Sequence, residues 1–290
     1  MNSAAANSSN HWSGIEGGYC SVGFSPVRGY QRERVLLHHN VIGTGQPIIL
    51  LHGLFGMGDN LSMIAKPLSA YYQVYQLDLR NHGRSPRAKS MSFVEMAMDV
   101  LDFMDSQQLE QPHILGHSLG GKVAMQLALQ QPERVNCLLV ADIAPVFYSG
   151  NHDEVFAGLT AVDLSSIDSR RDAEQVLKGY INEPGLRLFL LKSLYRNEHG
   201  GFSWRMNIDA LQRCYEELRS ANISDQPFLG PTLFIKGENS GYIQEKHRDT
   251  IKRLFPNAQL KIIHNTGHWL HAEKPVAFNN VVKRFLQGDG

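Results

Sequence analysis

A chain of 290 residues is long enough for one sizeable α/β domain with a modest insertion. Its hydrophobic content of 42% and charged content of 19% are those of an ordinary globular protein and exclude a disordered chain. Lys plus Arg (28) balances Asp plus Glu (28), so there is no electrostatic footprint for a phosphate backbone, and nucleic acid is excluded as an expected partner.

Residues 1–30 are rich in Ser, Asn, Gly and Ala and lack a basic stretch followed by an apolar one. They read as a flexible extension and not as a secretory signal. From about residue 33 short apolar runs alternate with helix-period segments. Residues 34–38 and 47–51 read as strands, and 60–71 as a helix with Leu61, Ile64, Ala65 and Leu68 at helical spacing. Residues 72–79 form a strand, and 92–109 a long amphipathic helix opened by Ser92 with Glu95 three residues on. A strand at 113–115, a helix over 119–131 stopped by Pro132 and a strand at 136–141 follow. The alternation then breaks. Residues 147–226 hold four expected helices, near 153–161, 170–181, 184–195 and 207–220, and no convincing strand. It resumes with strands at 231–235 and 259–263 and helices over 243–254 and 273–286.

Such alternation predicts an α/β fold with a mostly parallel sheet buried by helices on both faces. The expected organisation is a core of residues 31–146 and 227–290 with a helical cap of 147–226 inserted before the last two strands. Open α/β sheets place their sites at the carboxyl ends of the strands, beneath such a cap. Cys20, Cys137 and Cys214 show no CxxC spacing, so neither a metal site nor a disulfide framework is expected. No apolar run is long enough to span a bilayer. A cytoplasmic protein is expected, with its oligomeric state left unassigned.

The sharpest chemical signal is Gly116-His117-Ser118-Leu119-Gly120-Gly121, a G-x-S-x-G motif directly between a strand and a helix. A tight strand-to-helix turn lifts the Ser118 hydroxyl above the sheet, and the helix start beneath it offers N–H groups to a developing oxyanion. A serine nucleophile needs a base, and His268 in Thr266-Gly267-His268-Trp269 sits in the loop after the last strand. His264 and His271 flank it as weaker candidates. The acid that orients the base can come from either of two loops. Asp142 follows the strand at 136–141 and is the primary assignment. Glu238, in Gly237-Glu238-Asn239-Ser240, is the alternative, with Ser240 a possible network member. The oxyanion donors are expected at the amides of Leu119 and of Leu54, in His52-Gly53-Leu54-Phe55-Gly56, with Phe55 as the fallback. The segment Asp78-Leu79-Arg80-Asn81-His82-Gly83-Arg84-Ser85 reads as a structural brace.

On these phrases, together with Asp142-Ile143-Ala144-Pro145 and Glu273-Lys274-Pro275, residues 30–287 resemble the α/β-hydrolase superfamily and within it the YbfF-type esterases. The resemblance implies Ser118 as nucleophile, His268 as base, Asp142 as acid and Ser240 near the histidine. It also implies hydrolysis of short acyl esters and of acyl-CoA thioesters.

The expected function is therefore a serine carboxylesterase acting on a small-molecule ester, without metal or organic cofactor. An acyl-CoA thioesterase with the same triad is the alternative, and a non-catalytic binding module the second. Phe55, Phe147, Tyr148, Phe189, Trp204 and Trp269 are the expected pocket, and Arg170, Arg171, Lys178, Arg187, Lys192 and Arg205 could meet a CoA phosphate.

Overall fold

Apolar runs without alternation become strands where both of their faces can be covered. In a computed structural model, which describes residues 33–150 and 152–288, the first half of the chain does this repeatedly. Its elements are β1 (His39–Ile42), β2 (Gln46–Leu51), α1 (Ser62–Leu68), β3 (Tyr72–Leu77), α2 (Phe93–Ser106), β4 (His113–His117), α3 (Leu119–Gln130) and β5 (Leu138–Ala141). Ile48 to Leu51, Ile114 and Leu115 are wholly buried, so the middle of the sheet has no wet face. The Ser92 hydroxyl accepts from the Glu95 amide and the Glu95 carboxylate accepts from the Ser92 amide, which starts α2 where the capping box predicts.

An insert follows β5: α4 (Asp153–Ala161), α5 (Arg170–Leu177), α6 (Pro184–Leu191), β6 (Leu194–Arg196), β7 (Phe202–Trp204), α7 (Ile208–Arg213) and α8 (Tyr215–Arg219). The chain then returns with β8 (Thr232–Gly237), α9 (Arg248–Leu254), β9 (Ala258–Ile263), α10 (Leu270–Glu273) and α11 (Pro275–Leu286). The seven long-range strands lie in the order β1-β3-β2-β4-β5-β8-β9. Only β1 runs antiparallel, with His39 opposite Leu77, and all the other neighbours are parallel. Because β8 pairs directly with β5, everything between them is excluded from the sheet and lies outside its run of strands.

Three expectations are corrected. The first strand is His39–Ile42 and not 34–38. Val35 and Leu37 are buried, but the backbone at His38 bonds to the loop beyond β3, its N–H donating to Ser85 Oγ (2.8 Å) and its carbonyl accepting from Asp78 (2.9 Å). The insert contains a hairpin, β6–β7, where no strand was expected. Strands of three residues show no usable period, and the turn signal Asn197-Glu198-His199-Gly200-Gly201 is what remains to read. Asn197 Oδ1 accepts from the amides of His199 and Gly201 there, and Gly200 takes φ 82°. The expected helix over 207–220 is split at Cys214 into α7 and α8. The extension expected at 1–30 lies outside the described residues.

The 78–85 brace ties these parts together. The Arg80 guanidinium is fully buried and meets Asp99 at 2.6 and 2.9 Å. Asn81 receives both the amide (2.8 Å) and the side-chain NH₂ (2.9 Å) of Asn207, and Arg87 donates to the Trp204 carbonyl at 3.1 Å. One loop therefore fixes the insert against the sheet.

Candidate active site

The carboxyl ends of β4, β5 and β9 converge on one point. Ser118, between β4 and α3, has φ 52° and ψ −117°, a conformation that L-residues rarely adopt. Glycines on both sides allow it. A Cβ on Gly116 would fall 2.2 Å from the Gly120 carbonyl oxygen, and one on Gly120 would fall 2.3 Å from that of Leu51. Helix α3 thus packs backbone to backbone on the sheet, and the hydroxyl points out above it.

His268 lies in the loop between β9 and α10, and its Nε2 is 3.0 Å from Ser118 Oγ. Its Nδ1 is 2.8 Å from Asp142 Oδ2. Asp142, just past β5, also sits in left-handed backbone (φ 53°), and it has no exposed surface. A buried carboxylate is tolerable only when its lone pairs are filled. Here Gly237 N–H donates to Oδ1 at 3.0 Å, and the Ser240 hydroxyl donates to Oδ2 in a very short contact. Glu238 is elsewhere: its carboxylate meets exposed His264 (2.9 Å) and the Asn265 amide (2.7 Å).

Two further supports aim the base. Tyr242 stacks on the His268 ring with centroids 4.1 Å apart and planes at 25°. His117 Nε2 donates to the His268 carbonyl at 2.9 Å. Burial, helped by the neighbouring His271 and His268, keeps His117 well below the ordinary imidazole value, so the ring is a neutral donor. His271 is likewise buried against His117 (centroids 4.5 Å) and pulled down to about 4.

The loop after β2 brings its amides to the same place, since a Cβ on Gly53 would be only 3.3 Å from Ser118 Cβ. Phe55 cannot be a free donor: its N–H donates to His82 Nε2 at 3.2 Å. The Leu54 amide lies in the same loop, and the Leu119 amide opens α3 and has no helical acceptor. The loop is held by two buried histidines. His52 Nδ1 bonds the Gly53 carbonyl (2.8 Å) while its Nε2 accepts from Leu79 N–H (3.0 Å), and His82 Nδ1 bonds the Arg80 carbonyl (3.0 Å). Burial lowers both, His82 to about 3, so both stay neutral with one nitrogen donating and one accepting. Sequence reading missed these roles. Their signal was the repeated His-Gly after a strand.

Over Ser118 lies a cavity of about 380 Å³ lined by Leu54, Phe55, Tyr148, Leu186, Phe189 and Trp269, among others. Two residues expected there are not. Phe147 is 55% exposed and lies under the Arg219 guanidinium, and Trp204 is buried in the hairpin. The adjacent aromatics part company at the chain's exit from the sheet, Tyr148 lining the cavity and Phe147 facing outward, while Trp204 is taken up by the hairpin's own packing. None of the six basic residues considered for CoA lines the cavity. Arg170 donates to Leu194 O, Arg187 to Ile181 O and Asn182 O, and Arg205 covers Tyr195. Among the described residues no cluster of three or more His, Cys, Asp or Glu could hold a metal, and no helix is long and apolar enough to cross a membrane.

Residues 46–184 match the family described as the alpha/beta hydrolase fold. Over 241 residues the chain is 40% identical to Esterase YbfF of Escherichia coli K12, covering 83% of this chain and 92% of that one. It is 37% identical to the sn-1-specific diacylglycerol lipase ABHD11 of Mus musculus, covering 92% and 91%. Among solved structures a marine microorganism esterase is 42% identical, with a TM-score of 0.85 over 87% of this chain and 99% of that one.

Proposed function

Because the chain belongs to the α/β-hydrolase fold family, and within it to the YbfF-type esterases, we propose that it hydrolyses short-to-medium acyl esters through a Ser118–His268–Asp142 triad. The observation that carries the reading is the continuous hydrogen-bond path from Ser118 Oγ through His268 to Asp142, at 3.0 and 2.8 Å, on the floor of an apolar cavity.

In this mechanism Asp142 holds Nδ1–H on His268, which leaves Nε2 free to take the Ser118 proton as Oγ attacks the ester carbonyl. The oxyanion that forms meets the amides of Leu119 and Leu54, each such donor being worth roughly 2.7–4 kcal/mol in the transition state. His268 then protonates the departing alcohol, and water attacks the acyl-serine by the same relay. The apolar wall of Leu186, Phe189 and Trp269 suits an acyl chain. The basic side chains that do line the cavity, Lys122 and Arg219, are engaged by the Val146 and Ser220 carbonyls and by Glu216, so the ester reading is preferred to the thioester one.

A fluorophosphonate probe tests the proposal directly. Wild type is expected to be labelled within minutes and Ser118→Ala not at all. Equal labelling of the two would sink it.

A further inference from the structure

The helix that follows Ser118 carries a buried lysine that the proton relay does not use. Lys122 lies one turn beyond Ser118 and is 2% exposed. Its Nζ donates to the Val146 carbonyl at 2.5 Å and to the Ser220 carbonyl at 2.7 Å. Those two acceptors are far apart in sequence but share one meaning. Val146 is where the chain leaves the sheet for the insert, and Ser220 is where it returns after α8. One amine therefore grips both crossings.

Other bonds make the grip a unit. The Lys122 main-chain carbonyl accepts from Asn222 Nδ2 (2.9 Å), on the returning crossing. Tyr148 N–H on the outgoing crossing donates to the Arg219 carbonyl on the returning one (3.0 Å). Lys122 Nζ lies 5.3 Å from the Tyr148 ring, and the Tyr148 hydroxyl donates to the Tyr242 carbonyl (2.6 Å). Tyr242 is the ring stacked on His268, so the crossings are continuous with the support of the base. Tyr148, Leu218 and Arg219, all at these crossings, form part of the cavity wall together with Lys122 itself. Burial lowers the Lys122 amine to about 7. Its neutral form still has two N–H groups, one for each carbonyl, so the grip does not depend on its charge.

We propose that Lys122 is a positioning residue: by pinning both crossings of the insert to the nucleophile helix it sets the cavity wall and so the length of acyl chain the enzyme accepts. The inference rests on the ester-hydrolase reading of Ser118. Methionine, unbranched and one atom shorter, would fill most of the space and leave two carbonyls unpaired, loosening the wall.

The test is steady-state kinetics of Lys122→Met against acetyl and octanoyl nitrophenyl esters, with wild type checked for fluorophosphonate labelling. The expected result is a KM for the octanoyl ester that rises roughly tenfold more than that for the acetyl ester, the loss falling on KM and not on kcat. Lys122→Arg, which keeps N–H donors, is expected to recover part of that selectivity. Should Lys122→Met not fold, Asn222→Ala unties only the returning crossing and is expected to show the same split. Equal changes for both esters, a loss confined to kcat, or no change overturns the role of Lys122. Failure of wild type to label overturns the ester reading instead.

Discussion

Replacing Asp142 by Asn turns one acceptor oxygen into a donor NH₂ at almost no change in volume, which makes it the most informative perturbation of this site. Gly237 N–H points at Oδ1 and can only donate, so the new amide must put its oxygen there. The NH₂ then occupies the Oδ2 position, facing His268 Nδ1. An NH₂ cannot accept the Nδ1 proton, so the imidazole is forced into its other tautomer, with Nδ1 accepting and the proton on Nε2. That proton faces Ser118 Oγ at 3.0 Å, where a vacant lone pair is required. By analogy with other triads, the resulting loss is about 10⁴ in kcat, or about 5.4 kcal/mol of barrier. Hydrolysis of a nitrophenyl ester, followed beside far-ultraviolet circular dichroism to check the fold, measures it. Glu238→Gln is the matched control, expected to stay within about twofold because its carboxylate is engaged with His264 and Asn265. If Asp142→Asn kept a tenth of wild-type kcat, or if Glu238→Gln lost the activity, the assignment of the acid would be wrong.

Ser240→Ala removes a hydroxyl donor from the same Oδ2 that holds the base. A hydrogen bond to a charged group is worth roughly 1.5–3 kcal/mol, so kcat is expected to fall at least tenfold; an unchanged kcat would make Ser240 a bystander. Gly116→Ala sets a methyl 2.2 Å from the Gly120 carbonyl oxygen, and α3 can yield only by leaving the sheet. It should unfold well below wild type in a thermal melt, and a melt within a degree or two of wild type would refute the packing argument. Stability should also depend on acid. His52, His82, His117 and His271 are held below their ordinary value of 6.5 by burial, His82 to about 3 and His271 to about 4. Between 6.5 and those values the unfolded chain binds more protons than the folded one, so stability falls as pH falls. The slope is up to about 1.4 kcal/mol per pH unit for each ring. Melting temperatures from pH 7 to pH 4.5 should drop steadily; a flat profile would mean that the rings are charged in the fold.

The parts of this molecule that the sequence made legible are those whose cause is local. Strand, G-x-S-x-G and helix in succession place Ser118 at an elbow, and the apolar β5 ending in Asp142 places a carboxylate where it must be paired. The choice between Asp142 and Glu238 was not local, because it depends on which loop meets His268 across the sheet. The same holds for the pocket. Phe147 and Tyr148 are adjacent aromatics, and only the direction of the chain leaving β5 decides which faces inward. Lys122 was invisible for a related reason. Nothing in Gly120-Gly121-Lys122 announces that two carbonyls separated by more than seventy residues will close over one amine. The β6–β7 hairpin escaped because three residues carry no period.

Three residues of the proposed machinery sit in left-handed backbone: Phe55 at φ 63°, Ser118 at φ 52° and Asp142 at φ 53°. Non-glycine residues there carry a penalty of roughly 1–3 kcal/mol each, which the packed sheet must absorb. Glycine at position 118 would relieve it, whereas at 142 it would also leave the Gly237 amide, the Ser240 hydroxyl and His268 without their buried acceptor. A library of this protein sorted for heat resistance alone would therefore enrich glycine at position 118 and discard turnover in the process, while a library sorted for turnover would keep a chain less durable than its fold allows.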